Sequence, residues 1–344
     1  MGERPPTADA GSRDLPGARG HVEADWASGV LTGYALLPDE ALDSVAVSVN
    51  GTPAGSAKLG DRPDVVGAYP AIPHAGRSGF RLSPPAGLLR AGEVNRVEVV
   101  GCRGGGPVAR FGTVVFPDDL VPESLAPPPV FIEKTQGDHD VAAYRALGFR
   151  YYQQLRDAVG RHRDTRGVRR LLDWGCGSGR VAAHFAREPG GPLVTGCDVD
   201  ADAIRWCREH VRSGEFDVID FSASLPYPDE TFDVVVSLAV LAGFGPDAYR
   251  AWLPEVRRVL APGGLFLASV QGPLAASFEL PPEGLARLRR DSIADGGHGP
   301  GGWHGFYLTR EYVRRAWGGL FEVLEHRETE INADQDLVVA RRAG

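Results

Sequence analysis

Long apolar runs and cysteines are both scarce in this sequence of 344 residues. No uninterrupted apolar run approaches the length of about 18 residues that a membrane-spanning helix needs, and the N-terminus lacks the apolar core of a signal peptide. The cysteines are Cys102, Cys176, Cys197 and Cys207. They show no CxxC spacing, which argues against a zinc site and against a disulfide framework. These absences predict a cytoplasmic protein with reduced thiols and no membrane contact.

Lysine is almost missing as well, since it occurs only at Lys58 and Lys134, and the net charge is −8. Surfaces that bind nucleic acids hold phosphates with clustered lysine and arginine. The acidic balance therefore predicts that neither DNA nor RNA is a partner. A hydrophobic content of 43% and a charged content of 24% are typical of a globular chain.

The first third of the chain has the pattern of short strands. Residues 1–19 are rich in Gly, Pro, Ala and charge without periodicity, which predicts a disordered tail. Residues 20–117 contain short β-type runs, such as 45–49, which the turn signal Asn50-Gly51 follows. No helical stripe of about ten residues interrupts them. We therefore expect residues 20–117 to form a small all-β sandwich.

The rest of the chain has a different pattern. Residues 118–134 include Pro127-Pro128-Pro129 and indicate a stiff, Pro-rich linker. Through residues 135–344, strand patterns such as Leu193–Asp198 alternate with helix patterns such as Ala201–His210. This alternation predicts an α/β domain with a parallel sheet covered by helices.

One segment of the α/β region carries a recognisable cofactor pattern, Leu171-Leu172-Asp173-Trp174-Gly175-Cys176-Gly177-Ser178-Gly179-Arg180. An apolar strand ends in an acidic residue, passes three alternate glycines and leads into a predicted helix. Glycines let the backbone turn tightly and approach a ligand. The N–H groups at a helix start would suit a carboxylate or a phosphate. The pattern predicts a nucleotide-like cofactor without identifying it.

The segment resembles motif I of the class I S-adenosylmethionine (SAM) dependent methyltransferases. The resemblance runs from about Tyr144 to the C-terminus, and its further landmarks follow in order as Asp198, Asp220-Phe221, Phe232–Ser237, 260–264 and 334–339. It implies a Rossmann-like, seven-stranded methyltransferase domain behind the β-sandwich, with S-adenosyl-L-methionine as cofactor. The cofactor-binding residues that it implies are Tyr144, Asp173, Gly175, Cys176, Gly177, Gly179, Arg180, Asp198, Val199, Asp220, Phe221 and Ser237.

Several of these residues have other interpretations that stay open. Asp198 and Asp220 are also compatible with solvated acids at a strand end and in a loop. Arg180 could pair with the SAM carboxylate or lie at the surface. Tyr144 could contact the cofactor or belong to an aromatic core stripe with Tyr151.

A dinucleotide is the rival cofactor. Residues 177–182 satisfy the pattern G-x-G-x-x-A, and Asp198 follows at a suitable distance. A dehydrogenase would leave the later landmarks of the α/β region unexplained, and this region contains no lysine beyond Lys134 for a Tyr-x-x-x-Lys pair. We therefore expect SAM, with an NAD(P)-dependent oxidoreductase as the less favoured alternative.

Candidates for a catalytic base are few. Relatives of this domain type often carry a histidine after the fourth strand, but residues 239–244 contain none. The Gly-rich and aromatic stretch 291–307 contains His298 and His304, and it is predicted to be either a lid over the acceptor or a disordered surface loop. His304 is the first candidate for a general base and His298 the second. Catalysis by proximity alone stays open.

No metal site is predicted. Asp138-His139-Asp140 contains residue types that ligate metals, but it directly precedes a predicted helix, where aspartate is a common cap. The trio is therefore interpreted as a helix start.

The predicted function is methylation of a small molecule, such as a natural product of secondary metabolism, or of a sugar, most readily on oxygen. The alternative from another class is a non-catalytic SAM-binding protein whose sandwich binds a partner or a glycan. Residues 62–65 and Gly79-Phe80 loosely resemble small β-sandwich modules that accompany glycan-modifying and secondary-metabolism enzymes. Homodimerisation, docking of a carrier or partner, and shaping of the acceptor pocket all stay open for this domain.

Overall fold

The computed structural model describes residues 15–121, 126–298, 304–331 and 335–344. The chain forms two compact units. Unit 1 comprises Met1–Pro122 and Glu328–Asp334, and unit 2 comprises Glu123–Arg327 and Gln335–Gly344. Within the described part of the chain, no helix is long and apolar enough to cross a membrane.

Unit 1 is built mainly from antiparallel strands. Its elements are β1 (Arg19–Asp25), β2 (Val30–Leu36), β3 (Ser44–Val49), β4 (Thr52–Lys58), α1 (Pro63–Ala68), β5 (Gly79–Leu82), β6 (Asn95–Arg103) and β7 (Gly106–Val115). One sheet has the order β1-β2-β5 and the other the order β4-β3-β6-β7. Their alternating apolar residues, including Leu31, Val47, Val99 and Phe111, are buried in one shared core. The predicted all-β sandwich is confirmed.

The turn between β3 and β4 shows how the sequence determines this unit. Val49 pairs with Thr52, so Asn50 and Gly51 form a two-residue turn. Both have positive φ, 51° and 77°, which asparagine and glycine tolerate best. The turn signal in the sequence therefore acts as predicted.

The predicted disordered tail, residues 1–19, differs from the structure at its described end. Ala18 donates its N–H to the Arg110 carbonyl at 2.8 Å, and Arg110 donates to the Pro16 carbonyl at 2.9 Å. Arg19 already begins β1. Backbone pairing with a distant strand orders these residues, and a composition rich in Gly and Pro gives no sign of it. Residues 1–14 lie outside the described part.

Unit 2 alternates strands with helices. Its helices are α2 (Pro129–Gln136), α3 (Val141–His162), α4 (Ala182–Phe185), α5 (Ala201–His210), α6 (Pro246–Val259), α7 (Pro273–Glu279), α8 (Pro282–Asp291) and α9 (Arg310–Trp317). Its strands are β8 (Arg170–Trp174), β9 (Leu193–Asp198), β10 (Gly214–Val218), β11 (Phe232–Ser237), β12 (Leu260–Val270), β13 (Ile293–His298), β14 (His304–Leu308), β15 (Phe321–Ile331) and β16 (Gln335–Arg342). The last residues of β15 belong to unit 1.

The main sheet has seven strands in the order β10-β9-β8-β11-β12-β16-β15. The strands from β10 to β12 run parallel, and β16 runs antiparallel to β12. The order reverses direction between β8 and β11, and open α/β sheets bind ligands at such a point, at the carboxyl ends of the strands. The predicted Rossmann-like, seven-stranded domain, which follows an all-β domain along the chain, is confirmed.

The predicted linker, residues 118–134, is only partly extended. Pro129 begins helix α2 at its first position, where proline's fixed φ is favourable, and Gly137 ends it with a φ of 81°. The Pro-Pro-Pro run thus includes a helix start as well as an extended approach. The backbone of a short helix of this kind is hard to distinguish from a linker by composition alone.

The Gly-rich stretch 291–307 also differs from the predicted loop. Its described residues form the antiparallel hairpin β13–β14, in which Ile293 pairs with Leu308 and His298 pairs with His304. Leu308 and Tyr307 are buried. The glycines concealed the strand pattern, because apolar anchoring is confined to the base of the hairpin. Residues 299–303 lie outside the described part.

Candidate functional site

A cavity of about 320 Å³ lies at the carboxyl ends of β8 and β9, next to the point where the strand order reverses. The predicted cofactor residues that line it are Tyr144, Asp173, Gly175, Cys176, Gly177, Arg180 and Asp198. The cavity therefore brings together residues from α3, from two neighbouring strand ends and from the glycine loop.

The glycine loop turns tightly between β8 and α4 and is tied to β9. Gly175 and Cys176 both donate their N–H groups to the Cys197 carbonyl, at 2.8 and 3.1 Å. Gly175 has a φ of 79°, and a Cβ there would lie 2.1 Å from Cγ2 of Val240. Glycine is needed at this position both for the conformation and for the space. At Gly177, by contrast, a Cβ would have no heavy atom within 4 Å, because this residue faces open space.

Asp173 is the most unusual group of the cavity. Its side chain is only 4% exposed, and its Oδ2 has no hydrogen-bond partner among the described residues. Burial, with a smaller contribution from the nearby Asp198 carboxylate, raises the pKa of Asp173 to about 7, while a hydrogen bond from the Ala182 N–H and the charge of Arg180 act in the opposite direction. A buried carboxylate oxygen without a partner is costly. A cationic donor in the cavity would remove that cost.

Arg180 supplies the opposite charge. Its guanidinium carbon lies 5.5 Å from the ring centre of Tyr144 and 5.0 Å from that of Tyr151. The two rings hold the arginine through cation–π contacts. No carboxylate is paired with it among the described residues, so its donors are available to an anion in the cavity. The surface interpretation of Arg180 is therefore not supported.

Tyr144 is held in place at the edge of the same cavity. Its hydroxyl is 2.8 Å from the Ser178 hydroxyl, and its side chain is buried. Burial raises its pKa to about 12, so the phenol stays neutral. It positions Arg180 and Ser178, and it belongs to the aromatic stripe as well as to the cavity wall.

Asp198 ends β9 beside the glycine loop. Its Oδ2 accepts the Gly177 N–H at 2.8 Å, and its Oδ1 accepts the Asp200 N–H at 2.9 Å. Each carboxylate oxygen can accept a further hydrogen bond. The carboxylate thus fastens the loop and still faces the cavity.

The structure does not bring five predicted residues to the described lining, and the reasons differ. Ser237 is fully buried and donates to the Trp174 carbonyl at 2.9 Å, which joins β11 to β8. A Cβ on Gly179 would lie 3.1 Å from Sγ of Cys207, so Gly179 faces α5. Val199 is 42% exposed and Phe221 80% exposed. Asp220 is exposed and its carboxylate accepts the Ser222 N–H.

The helix that was predicted to follow the glycine loop is also much shorter than expected. Helix α4 contains only Ala182–Phe185, and a helix of one turn has little dipole to offer an anion.

Several lining residues were not predicted from the sequence. Phe131, Lys134 and Thr135 come from α2, which begins in the predicted linker and ends just beyond it, and Lys134 donates to Oδ2 of Asp200 at 2.7 Å. Asp200 also caps α5 by accepting two backbone N–H groups. The proline at the start of α2 and the glycine at its end could have predicted a helix here. No local sequence feature could have predicted that this helix lies next to the end of β9.

No group of residues suited to hold a metal ion occurs in the described ranges. Asp140 accepts the Ala143 N–H at 2.9 Å and caps α3, so the helix-start interpretation of residues 138–140 holds. The backbones of His298 and His304 lie opposite each other in the β13–β14 hairpin. Their side chains lie outside the described part of the structure.

Comparison with known proteins identifies the segment that forms this site. Residues 171–264 match the family model described as a methyltransferase domain. Unit 2 contains a methyltransferase domain. The resemblance to class I SAM-dependent methyltransferases is thus confirmed, and with it S-adenosylmethionine as the cofactor.

Curated relatives of this methyltransferase domain include two mycobacterial enzymes. The chain is 35% identical over 119 residues to a fatty-acid O-methyltransferase of Mycolicibacterium smegmatis, covering 34% of this chain and 42% of that one. It is 36% identical over 101 residues to a phthiotriol/phenolphthiotriol dimycocerosates methyltransferase of Mycobacterium tuberculosis, covering 29% and 37%. The chain therefore spans less than half the length of these relatives. A solved SAM-dependent methyltransferase of Methanosarcina mazei is 22% identical, with a TM-score of 0.43 over 54% of this chain and 96% of that one.

Proposed function

We propose that this protein transfers the methyl group of SAM to an oxygen atom of a small-molecule acceptor. One observation carries the proposal. The unpartnered Oδ2 of Asp173 and the unpaired guanidinium of Arg180 line the same cavity beside the glycine loop.

These two charges fit the amino-acid end of the cofactor. Asp173 would accept hydrogen bonds from its ammonium group, and Arg180 would donate to its carboxylate. Hydrogen bonds between ionised partners are roughly twice as strong as neutral ones. The sites of opposite charge therefore select a zwitterion, which a nicotinamide dinucleotide does not have at the corresponding position.

Asp198 fits the ribose of the cofactor. Its oxygens keep lone pairs for two hydroxyl donors after accepting Gly177 and Asp200. Lys134, bonded to Asp200, closes this side of the cavity. Val199, Asp220 and Phe221 follow the ends of β9 and β10 and stay candidates for the adenine end.

Methyl transfer is an in-line displacement that the positive sulfonium of SAM has already activated. An acceptor oxygen forms a bond to the methyl carbon, the carbon–sulfur bond breaks, its electron pair stays on sulfur, and the acceptor loses a proton. The protein's main task is alignment, which can supply about 7–11 kcal/mol in favourable cases. An acceptor hydroxyl also needs a group that takes its proton. His304 and His298 stay predictions for that part.

Lipids and natural products are the acceptor class that the relatives favour. One relative is named for a fatty acid and another for phthiotriol/phenolphthiotriol dimycocerosates. A sugar hydroxyl stays an alternative acceptor. The non-catalytic alternative rests only on the absence of histidine in residues 239–244, which does not affect alignment.

The first experiment is calorimetric titration of the full chain with S-adenosylhomocysteine (SAH), with NAD and NADP as parallel controls. We expect micromolar binding of SAH alone. Transfer of a labelled methyl group from SAM is then measured against a series of hydroxyl and carboxyl acceptors. Dinucleotide binding, or no binding of SAH, would remove the proposed function, and SAH binding without transfer to any acceptor would favour the non-catalytic alternative.

A further inference from the structure

We propose that His326, oriented by Asp336, is the general base of this enzyme and that the acceptor group is a hydroxyl rather than a carboxylate. The proposal deepens the proposed function and depends on it. It rests on a buried pair of side chains on β15 and β16, the last two strands along the chain. Neither residue lines the cofactor cavity.

The pair has the geometry of an oriented imidazole. Nε2 of His326 lies 2.8 Å from Oδ2 of Asp336, and the two side chains are 6% and 1% exposed. The other ring nitrogen, Nδ1, is buried and has no hydrogen-bond partner among the described residues. A buried polar atom without a partner carries a cost. A partner that arrives from outside the chain would remove this cost.

The hydrogen bond to Asp336 determines which nitrogen donates. Since a carboxylate only accepts, Nε2 carries a proton, and in the neutral imidazole Nδ1 therefore keeps its lone pair. This is the arrangement in which a carboxylate orients a histidine for proton abstraction. Asp336 acts as a positioning residue, and the imidazolium that forms after abstraction is stabilised by its charge.

The pair lies at the ligand-binding end of the sheet. Ala239 lines the cofactor cavity and donates its N–H to the Ser269 hydroxyl on β12 at 2.7 Å. The next residue of β12, Val270, pairs with Asp336. Adjacent strands are about 4.8 Å apart and adjacent residues about 3.3 Å. Asp336 on β16 and His326 on β15 thus lie two and three strands from β11, whose end leads to Ala239, at the same carboxyl-terminal edge of the sheet.

A second unpartnered group stands beside it. Gln271 follows Val270, is 4% exposed, and its Oε1 has no partner in the described part of the chain. Asp336 packs directly over Gly272, where a Cβ would lie 2.2 Å from Oδ2 of Asp336. Gly272 therefore gives the carboxylate its space, and two hydrogen-bond acceptors, Nδ1 of His326 and Oε1 of Gln271, are left at one edge.

This set of acceptors distinguishes between acceptor classes. An ionised carboxylate brings no proton, so it needs no base, and Nδ1 of His326 and Oε1 of Gln271 offer it only lone pairs. A hydroxyl brings one proton, which Nδ1 can accept as the oxygen attacks the methyl carbon. The site thus favours alcohols, on which a base contributes about 100-fold or more.

The chain offers a matched control pair on the neighbouring residue. Glu325 lies 2.7 Å from Nε2 of His162, but it also binds Arg161 and Arg327. Burial raises the pKa of Glu325, but the arginines outweigh this effect and lower the pKa to about 2. His162→Gln therefore removes the α3 histidine of a histidine–carboxylate pair whose carboxylate, Glu325, lies on the same strand as His326.

The test uses the full chain with hexadecanol, methyl glucoside and hexadecanoic acid as acceptors. For His326→Gln we expect kcat toward a hydroxyl acceptor to fall about 100-fold, with SAH affinity unchanged within about threefold and His162→Gln like the wild type. Transfer to the acid in preference to both alcohols, or to none of the three while SAH binds, overturns the hydroxyl assignment. A loss of turnover in His304→Gln without one in His326→Gln overturns the base assignment.

A spectroscopic measurement tests the same proposal without turnover. Two-bond proton–nitrogen NMR correlations report which imidazole nitrogen carries the proton. We expect the Nε2–H tautomer for His326 at pH 7.5 and a loss of this preference in Asp336→Asn. A cationic or Nδ1–H imidazole in the wild type overturns the proposal. If SAH does not bind while the tautomer is as expected, it is the proposed function that fails.

Discussion

The two ends of the ligand-binding edge in unit 2 are built in opposite ways. At the cofactor end, one stretch of ten residues supplies Asp173, the glycines and Arg180, and the next strand supplies Asp198. At the proposed acceptor end, Gln271 directly follows β12, His326 and Asp336 lie on β15 and β16, and the three meet only after the sheet has formed. The first end can be identified from local sequence, whereas the second has no local pattern. Variants at the first should change cofactor binding alone, and variants at the second should change transfer alone.

The largest effect is expected for Asp173→Asn. Removing one partner of a buried, hydrogen-bonded charge pair costs about 2–5 kcal/mol, so we expect SAH affinity to fall at least about 30-fold by calorimetry. The exposed carboxylate of Asp202 provides the control Asp202→Asn, which should bind like the wild type. Wild-type affinity in Asp173→Asn would show that the ammonium group is held elsewhere.

Asp198→Ala should weaken SAH binding at least about tenfold, because it removes two charge-assisted acceptors from the ribose and releases the Gly177 N–H. Asp198→Asn, which keeps one acceptor oxygen, should lie between the wild type and Asp198→Ala. Titration calorimetry measures both, and circular dichroism checks that the fold is kept. Equal affinity in all three proteins would remove the ribose assignment.

The pH dependence of binding should come from Asp173. Because its pKa in the free protein is about 7, a ligand that needs the carboxylate should bind about tenfold more weakly at pH 6 than at pH 8. Asp173→Asn should show no such dependence. A wild-type affinity that is constant between these pH values would contradict the assignment.

The same pKa has a consequence for stability with the opposite sign. The pKa of Asp173 in the folded protein lies above its ordinary value of 3.8. The contribution of this residue to the free energy of unfolding is therefore fully present below about pH 4 and is lost as the pH rises through about 7. Relative to the wild type, Asp173→Asn should therefore gain unfolding free energy at pH 8, on the order of 1–4 kcal/mol. Urea unfolding at pH 5 and pH 8 measures it, and a variant less stable than the wild type at pH 8 would contradict a raised pKa.

The smallest effect is expected for Lys134→Ala. Its pair with Asp200 is mostly exposed, with 57% and 27% of the side chains accessible, and such pairs contribute about 0.2–1 kcal/mol. SAH affinity should fall less than about fivefold, and the difference should shrink at high salt. A larger loss would indicate that Lys134 contacts the cofactor directly.

Local sequence was sufficient to predict the order of elements and the cofactor loop. The spacing of apolar residues and the choice of turn residues are local features of the sequence. The strand Leu193–Asp198 and the helix Ala201–His210 therefore have the predicted bounds. Gly175 likewise occupies a position where the backbone has a positive φ. The same locality explains the errors. Glycine and proline residues obscured the sequence patterns of α2 and of the β13–β14 hairpin. Ser237 has the predicted position on its strand, but its side chain bonds within the sheet.

Which side chains meet was decided by the packing of the elements and had no local signal. The aromatic rings that hold Arg180, the contact of Lys134 with Asp200, and the pairing of His326 with Asp336 join segments that the chain pattern treats as unrelated. The physical reason is that burial and hydrogen-bond geometry depend on packing between elements. Periodicity reports only which face of one element is apolar.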